Sequence, residues 1–156
     1  MQLFLLRHAE AEPHAANDEA RALTDKGRRQ AANVGRFCAS RDVLPEIILS
    51  SPLVRARQTA KFVARELGLS NIVQIEEFLA TGMTPESAFS GLDKHSGKAS
   101  VMLVGHEPDF SRLAGVLIGG QPCSVHFRKA TLLSVSLQNL KPGAGTIEFL
   151  IPAKCL

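Results

Sequence analysis

The chain predicts an α/β fold, a mostly parallel sheet flanked by helices on both faces with an antiparallel C-terminal hairpin at the edge. Three observations carry this. Apolar runs at 2–6, 46–50 and 100–105 have strand length, and the first contains no turn residue. The stretches between them place apolar residues at helical spacing behind cap residues such as Thr24 and Thr84. Beyond them, 132–137 and 146–151 alternate around Lys141-Pro142-Gly143, the pattern of a hairpin.

The first run, Gln2-Leu3-Phe4-Leu5-Leu6, reads as a central strand and delivers Arg7 and His8 at its C-terminal end, where open α/β sheets bind ligands. Polar, alanine-rich residues 9–22 read as a loop over the strand ends. Thr24 then caps a helix over about residues 25–40, with Ala31, Val34, Gly35 and Cys38 on its buried face. This helix crosses over to the strand at 46–50, parallel to the first. Ser51-Pro52 opens a second helix, apolar at Leu53, Ala56, Ala60, Val63, Ala64 and Leu67, which Gly68 ends. Arg55 and Arg57 lie near the positive end of its dipole, where an anion would offset their cost. Arg57 is assigned to solvent and Arg55 to a ligand.

Residues 72–78 read as a further strand ending in Glu76 and Glu77, and Thr84-Pro85-Glu86 opens a short helix. Gly91, Asp93, His95 and Gly97 read as a loop. The strand at 100–105 ends in His106, so two strands bring imidazoles to one edge. A helix follows from Pro108 to about residue 118, burying Phe110, Leu113, Ala114 and Leu117, and Gly119-Gly120 stops it.

With 156 residues, 45% hydrophobic and 21% charged, the chain has the material for one core, and residues 1–156 are expected to form a single domain. The net charge of +3 is spread among interleaved acids and bases, and no Trp or Tyr is present for base stacking, so nucleic acid is not an expected partner. Cys38, Cys123 and Cys155 form no CxxC pair, which excludes a disulfide framework or zinc knuckle and fits reduced thiols in the cytoplasm. The run at 2–6 lacks a cationic leader and flows into Arg7, so neither a signal peptide nor a membrane span is expected.

Three segments together, LFLLRHAE at 3–10, SSPLVRARQTA at 50–60 and VGHEP at 104–108, resemble the core motifs of the histidine phosphatase superfamily, which includes the phosphoglycerate mutases. NDEARALTDKG at 17–27 and the small size resemble the SixA-type phosphohistidine phosphatases. The resemblance implies a phosphoglycerate mutase-like fold and metal-independent phosphoryl transfer without a cofactor. In it His8 is the nucleophile that becomes phosphorylated. Arg7 and Arg55 are the guanidiniums on the phosphoryl oxygens, His106 is the second imidazole of the pocket, and Arg21 is a further phosphate-binding arginine. The residue types suit the chemistry, because a neutral imidazole can attack phosphorus while forked cations stabilise its oxygens.

Ala9 stands where the family motif usually has Gly, and a methyl fits there if the backbone needs no positive φ. Glu77 is the one candidate general acid that position suggests. An imidazole leaving group needs less protonation than an alkoxide does, so a phosphohistidine substrate tolerates a weak acid. Short connections such as 80–99 leave no room for a roofing subdomain. The expected open pocket suits a phosphohistidine displayed on a signalling protein, for instance a phosphotransfer domain. Three alternatives remain: a broad-specificity or small-molecule phosphatase of the same superfamily, a non-catalytic phosphate-binding module, and a metal cluster formed by His8, Glu10, Glu12 and His14. His14, His95 and His126 read as surface or loop residues, and Cys38 as a small core residue.

Overall fold

A computed structural model describes residues 1–119 and 125–156; Gly120, where the fourth helix was expected to stop, and Cys123 lie outside them. Strand β1 (Gln2–Arg7) lies inside a six-stranded sheet ordered β3-β2-β4-β1-β5-β6. Strands β2 (Ile47–Ser50), β3 (Val73–Ile75) and β4 (Ser100–Gly105) run parallel to it, while β5 (Leu132–Leu137) and β6 (Gly145–Ile151) form the antiparallel hairpin at one edge. The apolar run of β1 is continuous because both faces are covered. Leu3 and Leu5 point to one layer, Phe4 and Leu6 to the other, and all four are buried.

Helices α1 (Asp25–Ser40) and α2 (Val54–Glu66) form the layer over Phe4 and Leu6. Thr24 caps α1 by accepting from the Gly27 amide, and Ala31, Val34, Gly35 and Cys38 are buried as their spacing predicts. The first turn of α1 presses so closely on the post-β1 loop that a Cβ built on Gly27 would lie 1.9 Å from the Glu10 carbonyl oxygen. Helices α3 (Pro85–Asp93) and α4 (Asp109–Gly119) form the other layer, with Phe110, Leu113 and Leu117 packed on Leu3, Leu5, Leu49 and Leu103. Thr84 and Ser87 form a capping box at the start of α3. Burying leucine or phenylalanine side chains like these contributes about 1.5–3 kcal/mol each. No helix among the described residues is long and apolar enough to cross a membrane.

Four expectations need correction. Helix α2 begins at Val54 and not at Ser51-Pro52; its N-cap Leu53 has no side-chain acceptor and makes no cap bond, while the Ser51 hydroxyl accepts from the Leu53 amide at 3.3 Å and also pairs with a histidine in the site below. The expected strand at 72–78 shrinks to three residues between 3-10 turns at Ser70–Ile72 and Glu77–Leu79. It is an edge strand whose Gln74 and Ile75 are exposed, so burial does not extend it. Gly91 and Asp93 belong to α3 and not to a loop; Gly91 is there for room, since a Cβ on it would lie 2.4 Å from the Phe78 ring. Pro108 precedes α4, which starts at Asp109.

Candidate active site

Three neighbouring strands build the site from their C-terminal ends. The parallel register sets Arg7 beside Gly105 and Ser50 beside Val104, so the next residues, His8, His106 and Ser51, emerge on one edge. Backbone bonds continue past the strands, with His8 donating to the Gly105 carbonyl at 2.9 Å and Ser51 to the Val104 carbonyl at 2.9 Å. The rings of His8 and His106 then lie 5.3 Å apart between centroids.

His8 is only 6% exposed. Its Nδ1 lies 2.7 Å from the Ala9 carbonyl oxygen. A carbonyl can only accept, so Nδ1 carries the hydrogen and Nε2 keeps its lone pair. Burial pushes the pKa of this imidazole down to about 3, opposed by the Ala9 bond and assisted by the fields of His106, Arg55 and Arg7. His8 is therefore neutral near pH 7. Ala9 has no positive φ, and its methyl is fully buried, so alanine fits where the motif usually has glycine.

Arg55 is 4% exposed on the first turn of α2, while Arg57 is exposed. The loop after β1 meets Arg55: its Nη1 donates to the Asp18 carbonyl oxygen at 2.7 Å and its Nη2 to Asp18 Oδ2 at 2.9 Å. Among the described residues two of the five guanidinium hydrogens are thus engaged, and three remain. Arg21 does not stand free beside the histidines; its Nη1 donates to Asp18 Oδ1 at 2.8 Å and its Nε to the Glu12 carbonyl at 2.6 Å. Asp18 thereby couples both arginines, and these bonds hold its carboxyl below the usual range, the Arg21 bond more than the Arg55 bond.

Thr59 joins the two halves of the site. Its hydroxyl donates to the Arg55 carbonyl at 2.8 Å and accepts from the Ala9 amide at 3.0 Å, linking α2 to the residue after His8. Arg7 donates through Nη1 to the Phe127 carbonyl at 2.6 Å, and its buried Nε has no partner among the described residues. Burial lowers its pKa, and the Glu107 carboxylate opposes this. Glu107 in turn accepts from the Phe127 amide at 2.8 Å and the Ser111 hydroxyl at 2.7 Å.

His106 Nε2 pairs with the Ser51 hydroxyl at 2.8 Å, and its buried Nδ1 has no partner among the described residues. Burial, assisted by Arg55 and Arg7 and opposed by Asp18, pushes its pKa down to about 4. His106 therefore rests neutral.

Glu77 opens the second 3-10 turn and lines a hollow of about 440 Å³ with Glu19, Pro52, Leu53, Ala80 and Thr81; neither His8 nor His106 lines it. His14 and His126 are exposed, whereas His95 is half-buried with Nε2 3.8 Å from Glu76 Oε1. The residues of the metal alternative do not gather. His8 Nδ1 is bonded to Ala9, Glu10 is held by Lys26 and Thr24, and Glu12 and His14 are exposed. Sequence reasoning missed Asp18, Ser51, Thr59 and Glu107. All four lie inside the quoted motif segments, and Thr59 also stands out as a polar residue on the otherwise apolar face of α2.

Two adjacent parallel strands ending in buried imidazoles, with a buried arginine on the helix that follows the neighbouring strand β2, are the architecture of a histidine phosphatase, and the chain belongs to the histidine phosphatase superfamily (branch 1), whose family model matches residues 3–81. It is a phosphatase with the mutase-like α/β sheet of that superfamily. Within it the chain is of the SixA type. It is 29% identical to the phosphohistidine phosphatase SixA of Escherichia coli K12 over 96% of this chain and 92% of that one. It is 37% identical to a SixA homolog of Haemophilus influenzae over 76% of this chain and 78% of that one. The solved structure of the protein histidine phosphatase SixA complexed with tungstate superposes with a TM-score of 0.91 at 27% identity, covering 99% of both chains.

Proposed function

We propose that the protein is a cytoplasmic phosphohistidine phosphatase acting on a phosphorylated signalling protein, with His8 as the nucleophile. The observation that carries this reading is the His8 ring itself, buried, neutral, fixed with Nδ1–H on the Ala9 carbonyl, and so left with a free Nε2 lone pair beside two guanidiniums. Nε2 attacks phosphorus, the bond from phosphorus to the substrate imidazole breaks, and that imidazole leaves with a proton. Water then cleaves the new P–N bond, releasing phosphate and restoring His8. The free donors of Arg55, the Nε of Arg7 and the Nδ1 side of His106 surround the transferring group, and donors placed in advance are worth orders of magnitude in rate. Arg21 acts through Asp18.

The substrate class rests on the likeness to SixA proteins and on the place of Glu77, which lines a hollow to which neither His8 nor His106 contributes. Residues 80–99 are spent on α3, which packs on α4, consistent with an open pocket able to receive a side chain displayed on a protein. Free Cys38 and Cys155 suit a reducing compartment.

The test is a turnover screen over phosphohistidine proteins, phosphoserine and phosphotyrosine peptides and small phosphoesters, with acid-labile phosphoenzyme trapped on wild type and His8→Ala. The reading expects phosphohistidine to be preferred and His8→Ala to lose turnover and phosphoenzyme together. Retained turnover in His8→Ala removes the nucleophile assignment. Efficient hydrolysis of alkyl esters that Glu77→Gln lowers by roughly 10² to 10⁴ favours the broad-specificity phosphatase with Glu77 as acid.

A further inference from the structure

Next to the nucleophile lies a second hollow that the phosphoryl chemistry does not use. About 310 Å³ in volume, it is walled by Glu10, Lys26, Gln30, Arg128, Lys129 and the C-terminal segment 152–154, which brings Lys154. Its parts come from the loop after β1, the first turn of α1, the approach to β5 and the C-terminal 3-10 turn. Glu10 is two residues past His8. Arg128 and Lys129 directly precede Ala130, whose amide donates to the His8 carbonyl at 3.2 Å. Two residues of extended chain span about 7 Å, which keeps the hollow within roughly one Debye length of the phosphoryl pocket.

The lining of this hollow is strongly cationic. Four cations face one carboxylate, and that carboxylate is already spent, with Glu10 Oε2 on Lys26 at 2.8 Å and Oε1 on the Thr24 hydroxyl at 3.0 Å. Arg128, Lys129 and Lys154 form no ion pair among the described residues, so three of the four cations stand uncompensated. An incoming anion would relieve their mutual repulsion. The lining holds no aromatic ring on which a base would stack and no exposed large apolar residue to enter a bilayer. Separate long side chains around a concavity match carboxylates spaced along a polypeptide.

We infer that this hollow is the docking surface for an acidic patch of the phosphoprotein, adjacent in that partner to the phosphorylated histidine. The inference rests on the proposed phosphohistidine activity. Binding carboxylates here sets the partner so that its phosphoryl group meets His8, and the contact acts on encounter more than on the chemical step.

The experiment pairs the double charge reversal Arg128→Glu with Lys154→Glu, both exposed residues outside the phosphoryl pocket, with two substrates. One is a phosphohistidine domain charged with phosphoramidate and bearing carboxylates around its histidine; the other is an activated aryl phosphate. At about 50 mM salt the variant should raise KM for the domain roughly tenfold with kcat within twofold, and the gap should close near 0.5 M salt. Aryl phosphate kcat should stay within twofold, and its KM should rise much less than the KM for the domain, because it feels the reversed charges only through the field and makes no contact with the hollow. Equal KM values for wild type and variant on the domain at low salt overturn the docking surface alone. A wild type that cleaves aryl phosphate but not the domain overturns the phosphohistidine reading and this surface with it. Reduced binding of single-stranded oligonucleotide or anionic vesicles, with KM for the domain unchanged, also overturns it. Should the variant not fold, changing the domain's carboxylates to amides must raise KM similarly with wild-type enzyme, and an unchanged KM is refutation.

Discussion

Replacing His106 by Gln isolates a destabilisation that the site imposes on the whole fold below neutral pH. His8 and His106 are 6% and 3% exposed, and burial pushes their pKa values to about 3 and about 4, below the 6.5 that the unfolded chain keeps. As pH falls through 6.5 the unfolded chain takes up protons that the folded one refuses. Stability present above 6.5 is therefore lost progressively as pH falls toward the folded values. Between pH 7 and 5 each imidazole removes about 2 kcal/mol, at about 1.4 kcal/mol per unit over the ~1.5 units below 6.5. The pair removes about 4 kcal/mol, a large share of a typical total of 5–15 kcal/mol. Glu10, Asp18, Asp25 and Glu86 are all held below their ordinary carboxylate values, so their losses begin under this window. Urea unfolding at pH 7 and pH 5 should thus show wild type losing about twice what His106→Gln loses, whatever the substitution itself costs at pH 7. Equal losses in the two proteins would refute the buried neutral assignment of His106.

Two further perturbations test how the site is held. Gly27→Ala places a methyl 1.9 Å from the Glu10 carbonyl oxygen. The usual helical gain of about 0.5–1 kcal/mol is then outweighed by overpacking of about 1–3 kcal/mol, so the melting temperature should fall and turnover with it; an unchanged or higher Tm contradicts the contact. Thr59→Val strands the buried Ala9 amide at a cost of about 1–3 kcal/mol, while Thr59→Ser keeps the oxygen and should remain near wild type. Denaturant midpoints of the pair decide it, and a Val variant as stable as the Ser variant removes Thr59 from its bridging role.

The features legible in the sequence are those that periodicity writes down. The unbroken run before Arg7 revealed a strand covered on both faces, and 3.6-residue spacing placed α1 within its true bounds. Strand ends at residues 7 and 105 were enough to bring His8 and His106 together. Residues that act through tertiary approach were not legible. Ser51 read as a helix cap because a hydroxyl that caps an amide is chemically the same as one that pairs with an imidazole. Asp18 sits in a loop without a periodic pattern, so its bond to Arg55 had no signal. Gly91 read as part of a loop because a glycine that makes room for a phenyl ring and one that loosens a chain look alike in one dimension.

Strand order has a consequence for how this protein comes into being. Strand β4 lies between β1 and β2, although both precede it in the chain, and no native pairing joins β1 to β2 directly. A nascent chain that has displayed Arg7, His8 and Arg55 still lacks the strand that sets them side by side. The pocket comes into existence only when the segment ending at His106 threads between them, a contact distant in sequence and slow to form. Phosphate can therefore act as a folding ligand only late, and recovery of activity on refolding should coincide with completion of the sheet's centre.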